Sequence, residues 1–469
     1  MRRWFSLVLD HPWAVIGVVV LITVVTGSFI PKITFNASID AMIPADDPVL
    51  VELAEVVEDF GTQDLFLIAL QSEDVFSPAV LKKLNDLALE LEALPGVAAV
   101  QSPFNAQRVD SSVFGIEIAP MTSGLPQSPE AIQDFKETIL DSPYAGRLIT
   151  ADGRGAALFL ELENFISNRN QLMEQIEEIV GRYQGPERIH MVGDAYILYF
   201  TEQAMKEDLV KLVPFVVVII GIVLYATLRS ALGIVIPLVT VGTSVIWTVG
   251  LMIWRGIPVS IISMVMPVIL VTIGIASSIH ILNKYQEGLA AGLSKRKALE
   301  ETFAAITSPV AMAALTTAAG FASLITAFVH PIREFGVLTA IGVMLAMALS
   351  LSLVPALLIL VREPKVRLAE DKPKKDGLLT RILHTFVAWA THRPKLVVAG
   401  VALVLVLSAL GAGRITLESN IVNYFGDSSP VKQATMVIEE VFGGSMQISV
   451  VVDTGEEDGI KDPAVLQEL

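Results

Sequence analysis

HPWAVIGVVVLITVVTGSFIPKITFNAS, residues 11–38, returns in altered but aligned form at 393–420 as RPKLVVAGVALVLVLSALGAGRITLESN. The offset is a constant 382: Pro12 matches Pro394, Lys32-Ile33-Thr34 matches Arg414-Ile415-Thr416, and Ile39 matches Ile421. Further on, Pro48-Val49 matches Pro430-Val431 and Phe60-Gly61 matches Phe442-Gly443. After a three-residue gap, Pro78-Ala79-Val80-Leu81 matches Pro463-Ala464-Val465-Leu466. Chance does not hold one register through an apolar run, a basic residue, a Pro turn and a Phe-Gly pair, so the chain carries a tandem duplication. It reads as roughly the first 60% of a two-fold repeated membrane protein whose second copy is truncated, in the manner of transporters built from parallel repeats.

Composition agrees. With 53% hydrophobic residues, 17% charged residues and a mean hydropathy of +0.62, the chain is too apolar for an ordinary soluble domain. There are no cysteines, which rules out disulfides, thiolate metal sites and cysteine nucleophiles and leaves the redox compartment open. Residues 32–208 hold 30 acids against 11 bases, so this segment carries more than the whole net charge of −16. Such an acidic segment repels phosphates and excludes nucleic acid as a partner.

Seven stretches are long and apolar enough to cross a bilayer core of about 30 Å as helices. They run from Trp13 to Ile30, Leu209 to Leu228, Ala231 to Trp254, Ile261 to Leu282, Pro309 to Val329, Phe335 to Val361 and Leu396 to Ala412. The first has no small-residue cleavage site after it and is expected to stay attached. Lys and Arg gather at Arg2-Arg3, in the loop Lys284–Lys297 and in the loop Arg362–Lys395, which fall on one side if the spans alternate. That side is expected to be cytoplasmic, with residues 32–208 and 413–469 in the periplasm or its equivalent, and the chain in the inner (plasma) membrane.

The large outer segment reads as strands and helices. Thr62 to Gln71 is expected as a strand; Ser77-Pro78 opens a helix with the stripe Leu81, Leu84, Leu87, Leu91 and Leu94, closed by Pro95-Gly96. Val97 to Gln101 follows as a strand, and Ala156–Leu162, Asn168–Tyr183 and Arg188–Val192 repeat the strand, helix, strand order. Two split βαβ units of ferredoxin-like type are therefore expected, with Asp194–Asp208 leading into the second span. The expected fold is an α-helical membrane protein with an α+β extramembrane domain. Its parts are residues 1–31, the first span; 32–208, the outer domain; 209–361, spans two to six; 362–395, a basic cytoplasmic linker; 396–412, the seventh span; and 413–469, the start of a second outer domain.

This order resembles the resistance-nodulation-division (RND) superfamily. Gly274-Ile275-Ala276-Ser277-Ser278-Ile279-His280 and the residues to Tyr285 look like the fourth-span motif of its lipid-exporting MMPL branch. Thr316-Thr317-Ala318-Ala319-Gly320-Phe321 looks like the fifth-span motif; Phe335-Gly336 and Val354-Pro355-Ala356-Leu357-Leu358 look like the sixth. The resemblance implies porter-like outer subdomains, a five-span block like a sterol-sensing domain, and proton-driven export of lipids or other hydrophobic molecules. Members that run on protons carry an Asp just before the Ser278-Ile279-His280 stretch, whereas here Ala276 and Ser277 stand there, and none of the seven spans holds an Asp or Glu.

Buried ionisable groups in spans are the default sign of an ion path. His280 alone remains as a carrier in the fourth span, with an ordinary pKa near 6.5; the competing reading is a histidine satisfied by water or a carbonyl near Lys284. Thr316 and Thr317 are candidates for a hydroxyl relay to Ser277 or Ser278, against plain helix packing by a small-residue run. Gly274 and Gly320 are expected at close helix contacts, and Pro267 and Pro309 as kinks or hinges. Asp46-Asp47-Pro48 reads as a helix cap rather than a cation site.

No P-loop, nucleophile–base pair or metal-ligand spacing is visible, so no catalytic residue, cofactor or metal is assigned. The expected function is secondary transport, with membrane lipids and a hydrophobic small-molecule substrate as partners and a homo-oligomer as a possible assembly. A sterol- or lipid-sensing receptor and a protein-export accessory subunit are the rivals on the same scaffold; the missing intramembrane acid favours the sensor.

Overall fold

The computed structural model describes residues 2–38, 42–44, 47–60, 65–112, 115–122, 124–163, 168–228, 230–361, 378–416 and 420–444, with 451–452, 454–455, 459 and 465. A short amphipathic helix, α1 (Arg2–Asp10), leads directly into the first span, α2 (Pro12–Gly27). After α3 (Pro48–Phe60) comes a lobe made of β1 (Leu65–Gln71), α4 (Pro78–Glu92), β2 (Val97–Gln101) and the hairpin β3 (Gln107–Ser112) and β4 (Gly115–Pro120). The lobe continues with α5 (Pro129–Leu140), β5 (Gly155–Leu162), α6 (Arg169–Tyr183) and β6 (Arg188–Val192). Then follow α7 (Asp194–Leu228), α8 (Ala231–Trp254), α9 (Met266–Ala290), α10 (Lys295–Ala322), α11 (His330–Leu360), α12 (Leu378–His392), α13 (Pro394–Ala412) and α14 (Pro430–Phe442). Seven of these helices, α2, α7 to α11 and α13, are long and apolar enough to cross a membrane, so this is a multi-pass membrane protein.

The lobe sheet has the order β2-β5-β1-β6 with every neighbouring pair antiparallel. Each strand–helix–strand unit is thus split by a strand of the other. One face buries Phe66, Ile68, Leu70, Leu158 and Leu160 against α4 and α6. The stripe Leu81, Leu84, Leu87 and Leu91 is fully buried there, as the leucine spacing of α4 requires. Asn168 caps α6 by accepting from Gln171 N–H at 3.3 Å. The other face, with Leu67, Ala69 and Val192, is covered by Ala434, Ile438 and Phe442 of α14. A helix of the second copy therefore closes the sheet of the first, and both outer segments lie on one side of the bundle.

The duplication is visible in the element boundaries. α1 ends at Asp10 and α12 at His392, α2 begins at Pro12 and α13 at Pro394, and α3 and α14 occupy the same 13 positions 382 residues apart. Even the corner residues agree, His11 at φ −129°, ψ 55° and Arg393 at φ −132°, ψ 53°. Gly443 ends α14 in the left-handed conformation, φ 81°, which explains the Gly of the repeated Phe-Gly pair. Asp47 Oδ1 accepts from Val49 N–H at 3.0 Å and Ser429 from Lys432 N–H at 3.2 Å, so both copies cap this helix with a side chain. Residues 463, 464 and 466 of the segment that matches Pro78–Leu81, and residues 61–64 before β1, lie outside the described residues.

Several expected boundaries move. The second span is the far end of α7, 35 unbroken residues through Pro214, which at 1.5 Å per residue is about 50 Å and exceeds the bilayer core. α10 starts at Lys295 rather than Pro309, because its first turns already present Ala298, Leu299 and Thr302 to the core. Within the expected linker 362–395, residues 378–392 form the amphipathic α12, and the β3–β4 hairpin and α5 lie in the lobe segment between 102 and 155.

Within the bundle α8, α9 and α11 are the interior helices, while no residue of α13 is buried. α2 and α8 touch closely: a side chain at Gly250 would collide with the Thr26 carbonyl oxygen, and Trp247 Nε1 donates to Thr23 Oγ1 at 2.9 Å. At the opposite end Phe5 of α1 stacks on Phe303 with centroids 3.8 Å apart, and Arg296 pairs with Asp10 at 2.8 Å. Lys295 Nζ donates to the carbonyls of Ile359, at 2.6 Å, and Val361, holding the end of α11.

Candidate functional site

The motif residues of α9 divide by helical periodicity into two faces. Gly274, Ser278, Leu282 and Tyr285 point inward; Thr272, Ala276 and His280, spaced by four, lie on a face that the described chain leaves open. Gly274 is where α9 meets α8 and α11: a Cβ there would sit 2.9 Å from Val241 Cγ2 and 3.4 Å from Ala346 Cβ. Ser278 Oγ is 3.4 Å from Ser350 Oγ across the α9–α11 contact, both residues without solvent exposure. Beside this pair is a void of about 10 Å³, room for about one water, bordered by Ser350, Thr302, Thr307, Phe5 and Phe303. Further buried hydroxyls, Thr240, Thr243, Ser244 and Thr248 on α8 and Thr339 on α11, give the interior a polar column without a carboxylate.

The fifth-span candidates are placed differently from the expected relay. Thr316 Oγ1 donates to the Met312 and Ala313 carbonyls at 3.0 and 2.9 Å, and Thr317 Oγ1 to Ala313 O at 2.9 Å. Both hydroxyls are spent on their own helix, as happens for Thr in an apolar span, so neither reaches Ser277 or Ser278. Ser277 is half-buried and His280 exposed; neither side chain has a hydrogen-bond partner among the described residues. Gly320 is also exposed, with nothing within 4 Å of a Cβ built on it, so it makes no close contact here. The tight crossing belongs instead to Gly336, where a Cβ would come within 2.6 Å of Leu324 Cβ and Phe321 O, while Phe321 and Phe335 meet edge to face.

Pro267 stands at the first turn of α9 and Pro309 inside α10. Pro267 is thus a helix starter, a position where its missing N–H costs nothing. Among the described residues no three His, Asp or Glu side chains cluster as metal ligands. Ser350 is the site residue that sequence reading missed; it lies 72 positions from its partner and no local motif marks it. α7 links this region to the lobe, since its Tyr196 and Tyr199 sit in the lobe core and its Leu224 in the bundle core.

The sequence model of the MMPL family matches residues 42–397, from before the lobe through α11 and α12 to the start of α13. The chain belongs to the MMPL family. Similar proteins include a Methanocaldococcus jannaschii protein described as a membrane protein, 24% identical over 363 residues, 75% of this chain and 91% of that one. The apo-petrobactin exporter of Bacillus anthracis is 23% identical over 73% of this chain, and the heme uptake protein MmpL11 of Mycobacterium tuberculosis 21% over 77%. The chain spans 42% of the exporter and 38% of MmpL11, against 91% of the M. jannaschii relative. The names of the exporter and of MmpL11 describe transport by those proteins.

Proposed function

We propose that this MMPL chain moves lipids or other hydrophobic molecules by ion-driven alternating access. The observation that carries the reading is α7, one continuous helix with Tyr196 and Tyr199 in the lobe core and Leu224 in the bundle core. A tilt of the bundle is then delivered to the lobe without a flexible joint, which is what rocking of one packed unit against another requires. The split strand order of the lobe supports a ferredoxin-like porter subdomain. The clustering of Arg2-Arg3 and Lys284–Lys297 opposite the lobe supports a periplasmic lobe and a cytoplasmic N-terminus in an inner membrane.

The uncovered face of α9, with Ala276 and His280, and the exposed Thr316 of α10 meet a second six-helix bundle, supplied by a continuation of the chain or by a second copy. His280 is the proton carrier on this side of that contact. The test is vesicles containing the protein and a fluorescent lipid probe: transport must depend on an imposed proton gradient. Equal movement with and without the gradient removes ion coupling, and gradient-linked movement by His280→Ala removes His280 from the path.

One observation favours a sensing role instead. None of the seven expected spans contains a carboxylate, and a receptor that reports lipid occupancy needs none. Gradient-independent lipid binding without transport in the same vesicles is the result that separates it.

A further inference from the structure

Where α2 leaves the membrane on the lobe side, a cavity of about 370 Å³ opens between the segment after α2 and the end of α8. Phe29, Ile253 and Ile257 form apolar walls, and Lys32, Thr34 and Trp254 bring an ammonium, a hydroxyl and an indole N–H to the same space. None of these three side-chain polar groups has a protein partner among the described residues, and Lys32 and Thr34 are both exposed. Arg255, on the turn that carries Trp254, is likewise exposed and makes no ion pair among the described residues. Three donors, one of them a charged ammonium, therefore line one cavity without a protein acceptor among the described residues.

The walls are fixed in place. Val259 N–H donates to Thr34 O at 2.8 Å and Asn36 N–H to Val259 O at 2.9 Å, tying the two edges of the cavity into a short parallel bridge. Gly256, at φ 74°, makes the sharp exit from α8 that separates Trp254 from Ile257. On the preceding turns of α2, Leu21, Val24 and Val25 are exposed, an apolar strip of the kind that acyl chains cover. The volume falls in the range of ligand pockets, and a Trp beside a cation at the end of a span is the composition of a membrane–water interface.

We infer that this cavity holds the headgroup of an anionic phospholipid from the leaflet on the lobe side, with its phosphate on Lys32, Thr34 and Trp254 and its acyl chains along α2. The lipid is a resident of the fold rather than cargo, so the inference does not depend on the transport reading. The second copy repeats the key groups: Arg414 and Thr416 occupy the places of Lys32 and Thr34. A basic residue and a hydroxyl two apart at the exit of both first spans fit recognition of phosphate better than they fit a cation that merely reaches for water.

The test uses the full chain in detergent, titrated with dioctanoyl-phosphatidylglycerol and read by native mass spectrometry. One lipid is expected to bind preferentially, and Lys32→Gln to weaken it about fivefold, the worth of one cation near an anionic headgroup. Lys32→Arg retains binding, Trp254→Ala weakens it, and Lys211→Gln, an exposed lysine of α7 outside the cavity, leaves it unchanged. Unchanged affinity in Lys32→Gln overturns the site. Equal affinity for dioctanoyl-phosphatidylcholine overturns the anionic selection, and competition by inorganic phosphate alone makes it a free-anion site instead of a lipid site.

Discussion

Ser278 of α9 and Ser350 of α11 place their hydroxyls 3.4 Å apart in a part of the bundle that solvent does not reach. In such surroundings a hydroxyl pair contributes about 0.6 kcal/mol on average, because each partner also has helix carbonyls to turn to. Ser278→Ala and Ser350→Ala should each cost about that much, and the double variant less than their sum. A double-mutant cycle measured by steric trapping in micelles reads the coupling; strict additivity would show that the two hydroxyls do not interact.

Glycines that look alike in sequence differ sharply in space. Gly250→Ala drives a methyl into the backbone of Thr26 and should cost about 3 kcal/mol or more, prising α2 from α8. Gly320→Ala meets nothing within 4 Å and should be neutral or slightly stabilising. Comparing the two variants in one unfolding assay checks both expectations, and similar losses from each would contradict the packing described for α2 and α8.

The lobe should weaken as pH falls below neutrality. Burial, then the charge of Arg188, lowers the His190 pKa from 6.5, and Nε2 has no hydrogen-bond partner among the described residues. The native lobe therefore resists the proton that the unfolded chain accepts, so stability is present above pH 6.5 and is lost as pH drops from there through the lowered native value. Glu187, whose carboxyl the Lys83 bond holds below 4.5, adds a second loss at more acidic pH. Pulse proteolysis across pH 7 to 5 should show the decline, and His190→Gln should flatten its upper part.

The seam between the copies is equally open to test. Ile438 is fully buried against the sheet, and Ile438→Ala should cost about 2–5 kcal/mol at that contact. Hydrogen exchange should rise on β1 and β6 while α4 and α6 stay protected, since their contacts lie on the other face. Unchanged exchange at Ala69 and Val192 would mean that α14 does not seal this sheet.

Much of this fold was legible because its elements are set by local pattern. The four sheet strands, the leucine stripe of α4 and all seven spans come from periodicity and length, which survive without knowledge of partners. The hairpin at 107–120 was not legible, since Asp110, Ser111 and Ser112 leave its first strand without the apolar alternation that marks a strand. α10 was expected too short because its early turns are polar on one side. Of the site, Gly274 and Ser278 were legible as motif members; Ser350 was not, and the Thr316 relay failed because a helix carbonyl four residues back is the nearer acceptor. The role of α14 is wholly tertiary: nothing in PVKQATMVIEEVF names the sheet it covers.

That cover sets a timetable for biogenesis. β6 is complete at Val192, yet the helix that roofs β1 and β6 begins at Pro430, after six further membrane crossings have left the ribosome and entered the bilayer. Until then the nascent lobe shows Leu67, Ala69 and Val192 to water, a sticky strip that invites chaperones or a wrong neighbour. Translation stalled within those crossings would strand a half-roofed intermediate, and the organism's quality control would meet this protein first at that strip.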